Sequence, residues 1–180
     1  MAPPPLLDAV RARIRDVPDF PRPGIVFKDL TPVLADPLLF HGVVSALAAR
    51  VATREVTEVV GIEARGFILG GALAATLRRG FVPVRKPGKL PRKSHREAYG
   101  LEYGQDALEL HVDALVHNAR VLVVDDLLAT GGTATATEAL IRRAGGTVVG
   151  FAFLVELAYL GGGERLGSDR LVSLIRYERP

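Results

Sequence analysis

The sequence of 180 residues predicts an α/β protein with a mostly parallel central sheet flanked by helices. Three observations support this fold class. Short apolar runs recur along the chain, and they are continuous rather than alternating, which is typical of strands buried on both faces. Segments with the period of an amphipathic helix lie between them. Apolar residues make up 48% and charged residues 24% of the chain, the balance of a globular protein with a sizeable core.

The N-terminal third contains two predicted helices with an irregular segment between them. Residues 6–17 have the apolar period of an amphipathic helix. Prolines between residues 18 and 37 exclude a regular helix, but the apolar content of this segment predicts an ordered loop with short extended pieces. Asp36 followed by Pro37 predicts an N-cap and the first turn of a helix that runs to about residue 53.

The remainder of the chain alternates between strands and helices. We predict strands at 59–62, 81–84, 121–124, 148–154 and 171–175, and helices at 66–79 and 133–144. Residues 98–103 and 107–112 alternate with period two on either side of Gly104, which predicts a hairpin. Because ligands in such folds bind at the carboxyl ends of the parallel strands, we expect the functional residues there.

Composition excludes several classes of function. The absence of cysteine excludes disulfides, thiolate zinc sites and cysteine nucleophiles. Charged residues interrupt every apolar run, so neither a membrane span nor a membrane partner is expected. Residues 1–7 lack the basic start and long apolar core of a secretory signal, which favours a cytoplasmic location. The net charge of +3 is too mild to indicate a nucleic-acid partner.

The strongest indication of chemistry is the segment 121–133. A buried strand leads to Asp125 and Asp126, and a short loop then reaches Thr130-Gly131-Gly132-Thr133 at the start of a helix. Glycines and hydroxyls at a helix N-terminus predict a phosphate-binding loop. The two carboxylates beside it suit hydroxyl donors such as a ribose diol, or a metal ion.

A second strand end predicts a second anion site. The strand at 59–62 leads directly into Glu63, Arg65 and the start of another helix. Such residues alone are more often ordinary surface residues. Two anion sites at one sheet edge, with a diol-binding pair beside one of them, indicate a sugar that carries phosphate groups at two positions.

A basic segment follows the strand at 81–84. Residues 85–96 contain six lysines or arginines and no acid. This composition suits a mobile lid that closes over a polyanion, although such runs are often only a solvated face. Nucleic-acid binding is disfavoured because only His95 could stack on a base.

Four motifs resemble the type I phosphoribosyltransferase family, and the resemblance runs from about residue 19 to residue 177. Residues 121–133 resemble its signature for 5-phosphoribosyl-1-pyrophosphate (PRPP), and residues 63–67 stand where the family has its pyrophosphate loop. Residues 20–32 resemble the base-binding segment of the adenine branch of the family. Residues 98–104, Ala-Tyr-Gly-Leu-Glu-Tyr-Gly, resemble the hairpin that follows the flexible loop in that branch.

The resemblance implies a role for each matching residue. It implies that Asp125 and Asp126 hold the ribose hydroxyls, and that Arg65 binds pyrophosphate and contributes to catalysis. It implies that Glu102 is the catalytic carboxylate that handles a purine proton. The other implied contacts are with the 5′-phosphate (Ala129, Thr130, Gly131, Gly132, Thr133), with PRPP from the mobile loop (Arg85, Lys89) and with adenine (Val26, Phe27, Lys28). Lys28 stands where the family commonly has arginine, and Arg85 is a candidate to reach the partner's site in a homodimer.

The resemblance also implies an organisation and a reaction. It implies one phosphoribosyltransferase domain over 1–180, with a base-binding segment at about 18–37 that forms a small hood and a mobile loop at about 85–97. The implied reaction converts adenine and PRPP to AMP and pyrophosphate in purine salvage. Mg²⁺ is the implied cofactor, held mainly through the substrate without direct protein ligands. A non-proline cis peptide is implied near residues 63–65.

Two alternatives remain open at this stage. Another purine, namely hypoxanthine, guanine or xanthine, could replace adenine as the substrate. A regulator could bind PRPP without catalysis, but such a protein needs a DNA-binding module. The approximately 20 residues before the base-binding segment contain only one predicted helix, which favours the enzyme.

Overall fold

The computed structural model describes residues 5–101 and 104–180. The N-terminal part contains α1 (Leu6–Arg13), β1 (Arg15–Pro18), β2 (Val26–Asp29), α2 (Thr31–Leu34) and α3 (Pro37–Val51). The middle contains β3 (Glu58–Ile62), α4 (Arg65–Leu77), β4 (Gly80–Val84), β5 (Ser94–Leu101) and β6 (Gly104–His111). The last part contains β7 (Arg120–Leu128), α5 (Gly132–Arg143), β8 (Thr147–Leu157), α6 (Gly162–Leu166) and β9 (Leu171–Tyr177). Short 3₁₀ turns follow α3 and β8, at Ala52–Arg54 and Ala158–Leu160.

The centre of the fold is a five-stranded sheet in the order β4-β3-β7-β8-β9. All four strand pairings in this sheet are parallel. Two antiparallel ribbons, β1–β2 and β5–β6, lie outside it. The predicted fold class is therefore confirmed, with β1–β2 as the N-terminal hood and β5–β6 as the hairpin.

The core has two layers, one on each face of the sheet. Along β7, Leu122 and Val124 face the layer formed with α1, α3 and α4, whereas Val121 and Val123 face the layer formed with α5 and the β5–β6 hairpin. Every one of these side chains is fully buried. Burial on both faces explains why residues 121–124 of β7 are all apolar, since neither face of this part of the strand meets water.

Several elements differ from the prediction in extent, and two helices were not predicted. Helix α1 ends at Arg13 rather than residue 17, because residues 15–18 pair with β2 as an exposed strand. Strand β7 continues to Leu128 because β8 pairs with it along its whole length, so both acids lie within the strand. Helices α2 and α6 were not predicted, and both are too short to show a helical period.

The predicted cap of α3 is confirmed. The Asp36 carboxylate accepts hydrogen bonds from the backbone N–H groups of Leu38 and Leu39, each at 3.1 Å. Pro37 occupies the first turn, where a backbone N–H has no acceptor within the helix, so proline costs no hydrogen bond. No helix in the described ranges is long and apolar enough to cross a membrane.

Candidate active site

The predicted phosphate loop joins β7 to α5. Gly131 precedes α5 with φ of 80°, a left-handed conformation that glycine adopts without steric cost. The first N–H groups of α5 have no acceptor within the helix, so they are free to bind an anion. A cavity of about 80 Å³ lies at this point; among its lining residues are Asp125, Ala129, Thr130, Gly131, Gly132 and Thr133. The structure therefore brings the predicted phosphate-binding residues together around one small cavity.

The two acids lie directly before this loop and have different surroundings. Asp126 is 3% exposed, whereas Asp125 lines the cavity and accepts a hydrogen bond from the Asp126 amide at 2.8 Å. Burial and the neighbouring Asp126 charge raise the pKa of Asp125 well above its usual value. Burial also raises the pKa of Asp126, although the Arg65 charge opposes the increase. Two adjacent carboxylates, one half-buried beside the cavity and one buried, thus lie before the phosphate loop, where they can accept hydrogen bonds from hydroxyl groups.

Arg65 connects the acids to the base-binding segment. Its Nε lies 2.5 Å from Asp126 Oδ2, so the two groups form an ion pair. The geometry is not that of a hydrogen bond, and Asp126 Oδ2 has no hydrogen-bond donor among the described residues. The Arg65 guanidinium also lies over the Phe27 ring, 5.1 Å from the ring centroid. Three segments that are distant in sequence thus meet at Arg65, which contacts both Phe27 and Asp126.

The chain before Arg65 has the backbone geometry that the resemblance implies. The peptide between Glu63 and Ala64 is cis, which confirms the expected non-proline cis bond. Glu63 accepts hydrogen bonds from Arg85 Nε at 3.2 Å, Arg85 Nη2 at 3.1 Å and the Lys86 amide at 2.9 Å. Burial alone raises the pKa of Glu63, but the Arg85 and Lys86 hydrogen bonds and the Arg85 charge outweigh it and lower this pKa. Glu63 thus holds the start of the basic segment against the predicted pyrophosphate loop.

Arg85 is engaged within its own chain. Besides the Glu63 pair, its Nη1 donates to the Lys89 carbonyl at 3.1 Å. Arg85 would have to leave Glu63 to reach a second copy, so its role across an interface stays a prediction. Lys89 is exposed at the tip of the same segment.

Both ends of the predicted mobile loop (about 85–97) are paired with other parts of the chain, and its mobility stays a prediction. Strand β5 begins at Ser94, so residues 94–97 are paired with β6 rather than in the loop. At the other end, Arg85 pairs with Glu109 through two backbone hydrogen bonds. Arg92 forms an ion pair with Asp113. The segment between these attachments is 86–91.

A polar cluster that sequence reasoning missed attaches the start of the loop to the hairpin. Lys86 Nζ forms an ion pair with Asp106 and donates to the Tyr99 hydroxyl at 2.9 Å, and the Tyr99 hydroxyl donates to Asp106 at 3.1 Å. The Lys86 hydrogen bond is the largest cause of a lowered pKa at Asp106. The sequence indicated this cluster only through Asp106, an acid near the start of β6 that follows the basic segment 85–96.

The predicted adenine-binding residues point in different directions. Phe27 faces Arg65, but the Lys28 side chain is buried and pairs with Asp16, on the other face of β2. The Lys28 side chain is therefore directed away from Phe27 and Arg65 in this structure, and its contact with adenine stays a prediction. Glu102, the predicted catalytic carboxylate, lies outside the described residues.

Comparison with known proteins agrees with this geometry. The phosphoribosyl transferase domain model matches residues 29–165. The chain belongs to the phosphoribosyltransferase family, and within it to the adenine phosphoribosyltransferases. It is 58% identical to adenine phosphoribosyltransferase from Myxococcus xanthus over 172 residues, which cover 96% of this chain and 94% of that protein.

Solved structures of adenine phosphoribosyltransferases are similar in fold over nearly the whole chain. The crystal structure of adenine phosphoribosyltransferase from Rhodothermus marinus has a TM-score of 0.90 at 53% identity, covering 96% of this chain and 98% of that one. The Saccharomyces cerevisiae adenine phosphoribosyltransferase, solved with an imino-altritol bisphosphate and adenine, has a TM-score of 0.88 at 34% identity. The match covers 94% of this chain and 98% of the yeast chain.

Proposed function

We infer that the protein is a purine salvage enzyme that transfers the 5-phosphoribosyl group of PRPP to adenine, forming AMP and releasing pyrophosphate. The observation that carries this inference is the meeting of Phe27, Arg65 and Asp126 beside the phosphate loop. An aromatic ring for the purine, a cation for the pyrophosphate and a carboxylate for the ribose diol are the three contacts that the reaction requires. The yeast relative was solved with adenine bound, which supports adenine as the purine.

Each group acts on a different part of the substrates. The loop at 129–133 binds the 5′-phosphate through backbone N–H groups and threonine hydroxyls. Asp125 and Asp126 accept hydrogen bonds from the ribose hydroxyls, which fixes the sugar ring relative to the sheet. The Phe27 ring packs on the purine and orients the attacking nitrogen toward C1 of the ribose.

Arg65 has the most direct effect on the leaving group. As the bond between C1 and the pyrophosphate oxygen breaks, negative charge accumulates on the pyrophosphate, and a guanidinium stabilises it through charge-assisted hydrogen bonds. In the described structure Arg65 is paired with Asp126. Pyrophosphate therefore competes with Asp126 for Arg65, and its binding frees the carboxylate for the ribose.

The proton balance assigns a role to Glu102. The new bond joins C1 to a purine nitrogen that carries a proton in free adenine, so this proton must leave the base. We assign its acceptance to the Glu102 carboxylate, on the family match of the hairpin sequence. Lys89, together with Arg85 if it is released from Glu63, would add positive charge near the pyrophosphate.

We propose that Mg²⁺ is held mainly through the substrate. No cluster of three or more candidate ligands occurs in the described part of the chain, and the buried Asp126 Oδ2 has no aligned donor. Asp125 and Asp126 would hold the ion through the ribose hydroxyls. When bound, it neutralises charge on the pyrophosphate.

A homodimer and a cytoplasmic location, both expected from the sequence, stay predictions.

Product identification tests the proposed function. The protein is incubated with adenine, PRPP and Mg²⁺; AMP is separated by chromatography and detected by ultraviolet absorbance, and pyrophosphate is measured as inorganic phosphate after hydrolysis. We expect AMP and pyrophosphate in equal amounts, with no AMP when PRPP is replaced by ribose 5-phosphate. Binding of PRPP without formation of any nucleotide would instead support the non-catalytic regulator.

A further inference from the structure

Strand β2 contains a buried lysine whose role the reaction does not explain. Lys28 is 3% exposed, although lysine is almost never fully buried unless it is paired. It is also the only fully buried residue of β2, since its three neighbours in the strand are half-buried. Lys28 is therefore the side chain by which β2 is most deeply inserted into the protein.

Lys28 is held by two partners. Its Nζ lies 2.8 Å from Asp16 Oδ1, and Asp16 is the residue directly opposite it on β1. The same Nζ lies 4.6 Å from the centroid of the Tyr177 ring, at the end of β9. A cation at this distance from an aromatic ring is attracted by its π-electrons, more strongly when both are shielded from water.

Helix α1 reaches the same tyrosine. The Arg11 guanidinium lies 4.8 Å from the Tyr177 ring centroid, and Arg11 Nη2 donates to the Arg176 carbonyl at 3.0 Å. Arg11, Asp16, Lys28 and Tyr177, which we name the tyrosine clamp, thus join the hood to the end of the central sheet. The clamp is separate from the phosphate loop and from Arg65.

The hood needs such an attachment because of its topology. The ribbon β1–β2 has no backbone pairing with the five-stranded sheet, and every residue of β1 is exposed. An isolated two-stranded ribbon is marginally stable in water. Its position therefore depends on the few side chains that bind it to the rest of the molecule.

We propose that Lys28 is a positioning residue for the purine: through the tyrosine clamp it docks β2 on the sheet and so sets where Phe27 presents its ring. Successive side chains of a strand point to opposite faces. The docking of Lys28 on one face thus places Phe27 on the face occupied by Arg65. This proposal rests on the proposed function, because the ligand of Phe27 is taken to be adenine.

The proposal predicts a selective effect on one substrate. The residues proposed to bind PRPP lie on β7, on α4, in the loop before α5 and in the basic segment 85–96, and none of them belongs to the clamp. A displaced Phe27 ring would weaken adenine binding and leave PRPP binding intact. A general loss of stability would change both.

The test compares Lys28→Met with Lys28→Arg. Methionine removes the charge and leaves Asp16, which is 58% exposed, in contact with water. Arginine keeps the charge at the clamp. We expect Lys28→Met to raise KM for adenine about 10-fold or more while KM for PRPP changes by less than about twofold, since small displacements of a contact residue have large effects. Lys28→Arg should remain within about threefold of the unsubstituted protein for both substrates.

Arg50→Met is the matched control. Arg50 is also a cation that binds β9, donating to the Ser173 carbonyl at 2.9 Å, but it comes from α3. Its removal should leave both KM values unchanged. If Lys28→Met does not fold, Tyr177→Leu, which removes the ring from the same clamp, should show the same selective rise in KM for adenine.

Hydrogen exchange of the β2 amides provides a readout that does not need activity. In Lys28→Met, the amides of 26–29 should exchange faster, while those of β7 remain unchanged. Unchanged exchange in β2, an unchanged KM for adenine, or an equal rise in both KM values would overturn the proposal. If the unsubstituted protein makes no AMP, the proposed function fails, and the exchange result alone decides whether Lys28 docks β2.

Discussion

Asp125 and Asp126 place two carboxylates side by side, which is electrostatically unfavourable but provides acceptors for the ribose hydroxyls. Replacing Asp125 by asparagine retains the oxygen that accepts the Asp126 amide but removes the negative charge. A hydrogen bond to a charged group contributes about 1.5–3 kcal/mol. We therefore expect Asp125→Asn to raise KM for PRPP by about 10- to 100-fold, with KM for adenine nearly unchanged, as measured by initial rates.

The same substitution should stabilise the protein at high pH. Burial and the Asp126 charge raise the pKa of Asp125 in the folded state. The folded protein therefore holds the proton more tightly than the unfolded chain, and stability decreases as the pH rises through the raised pKa. Asparagine removes this loss, so the free energy of unfolding should increase by about 1 kcal/mol at pH 8.

The gain should shrink as the pH falls below the raised pKa, where Asp125 is protonated in the folded protein. Urea unfolding at pH 5 and pH 8 measures it, with the exposed Asp169→Asn as the control that shows no such trend. A gain of equal size at both pH values would show that the charge of Asp125 is not its source.

Glu102 carries the proton-transfer step of the proposed mechanism. Glu102→Gln keeps the size of the side chain but removes the base. We expect kcat to fall by about 10²- to 10⁴-fold, with KM for PRPP little changed and one limb of the pH–rate profile lost. Glu97→Gln is the control from the same hairpin, because Glu97 pairs with Arg143 on α5. A loss confined to PRPP affinity would argue against a catalytic role.

Individual residues also differ in whether their contacts could be predicted from the sequence. Asp125, Asp126 and the glycines of the phosphate loop could be assigned from sequence because strand, acids and loop are contiguous. The contacts of Lys28 could not, because its partners Asp16 and Tyr177 are separated from it by 12 and 149 positions in the numbering. Nothing in the local pattern showed that this lysine is buried.

At the scale of elements, the contact between α4 and β7 positions Arg65. A Cβ atom on Gly66 would lie 2.8 Å from Asp125 Oδ1 and 2.9 Å from the Val124 carbonyl oxygen. Gly66→Ala should therefore push the start of α4 away from β7, costing about 1–3 kcal/mol of stability. Because Arg65 precedes Gly66, we also expect activity to fall.

Gly71→Ala is the matched control within the same helix. No atom lies within 4 Å of a Cβ built at Gly71, and alanine favours a helix over glycine by about 1 kcal/mol. This variant should be slightly more stable and fully active. Thermal unfolding and initial rates measure both variants, and equal behaviour of the two would contradict the close approach at Gly66.

The basic segment should move only between its attachments. In the free protein we expect the amides of Arg85 and Glu109, which bond to each other's carbonyls, to be protected from hydrogen exchange. The amides of 88–90, of which Gly88 bonds to the Glu109 carboxylate and Lys89 to the Lys86 carbonyl, should exchange faster than those of Arg85 and Glu109 and slow by about 10-fold or more when PRPP and Mg²⁺ bind. Full protection of 88–90 without ligand would exclude a moving loop.

The elements were predictable to different degrees. The five sheet strands were correctly located from their apolar runs, because burial on both faces leaves a strong signal. The exposed β1 left no signal, since none of its residues contributes to the core. The extent of β7 depended on its pairing with β8, which no local pattern contains.

At the scale of the whole molecule, the residues of the site come from elements that are attached to the protein in different ways. The phosphate loop and the acids belong to the central sheet, Arg65 to α4, and Phe27 to a hood attached by side chains. This arrangement allows the purine contacts to vary while the PRPP contacts stay fixed. The specificity for the base is therefore the property whose measurement tests the proposed function most directly.

That measurement is the ratio of kcat/KM for adenine to kcat/KM for hypoxanthine, at saturating PRPP and Mg²⁺. A site that hydrogen-bonds the edge of one base leaves buried polar groups unpaired with another, and this discriminates strongly. We predict a ratio of about 10² or more in favour of adenine. Comparable values for the two bases would contradict the adenine assignment, although the transfer of phosphoribose would still stand.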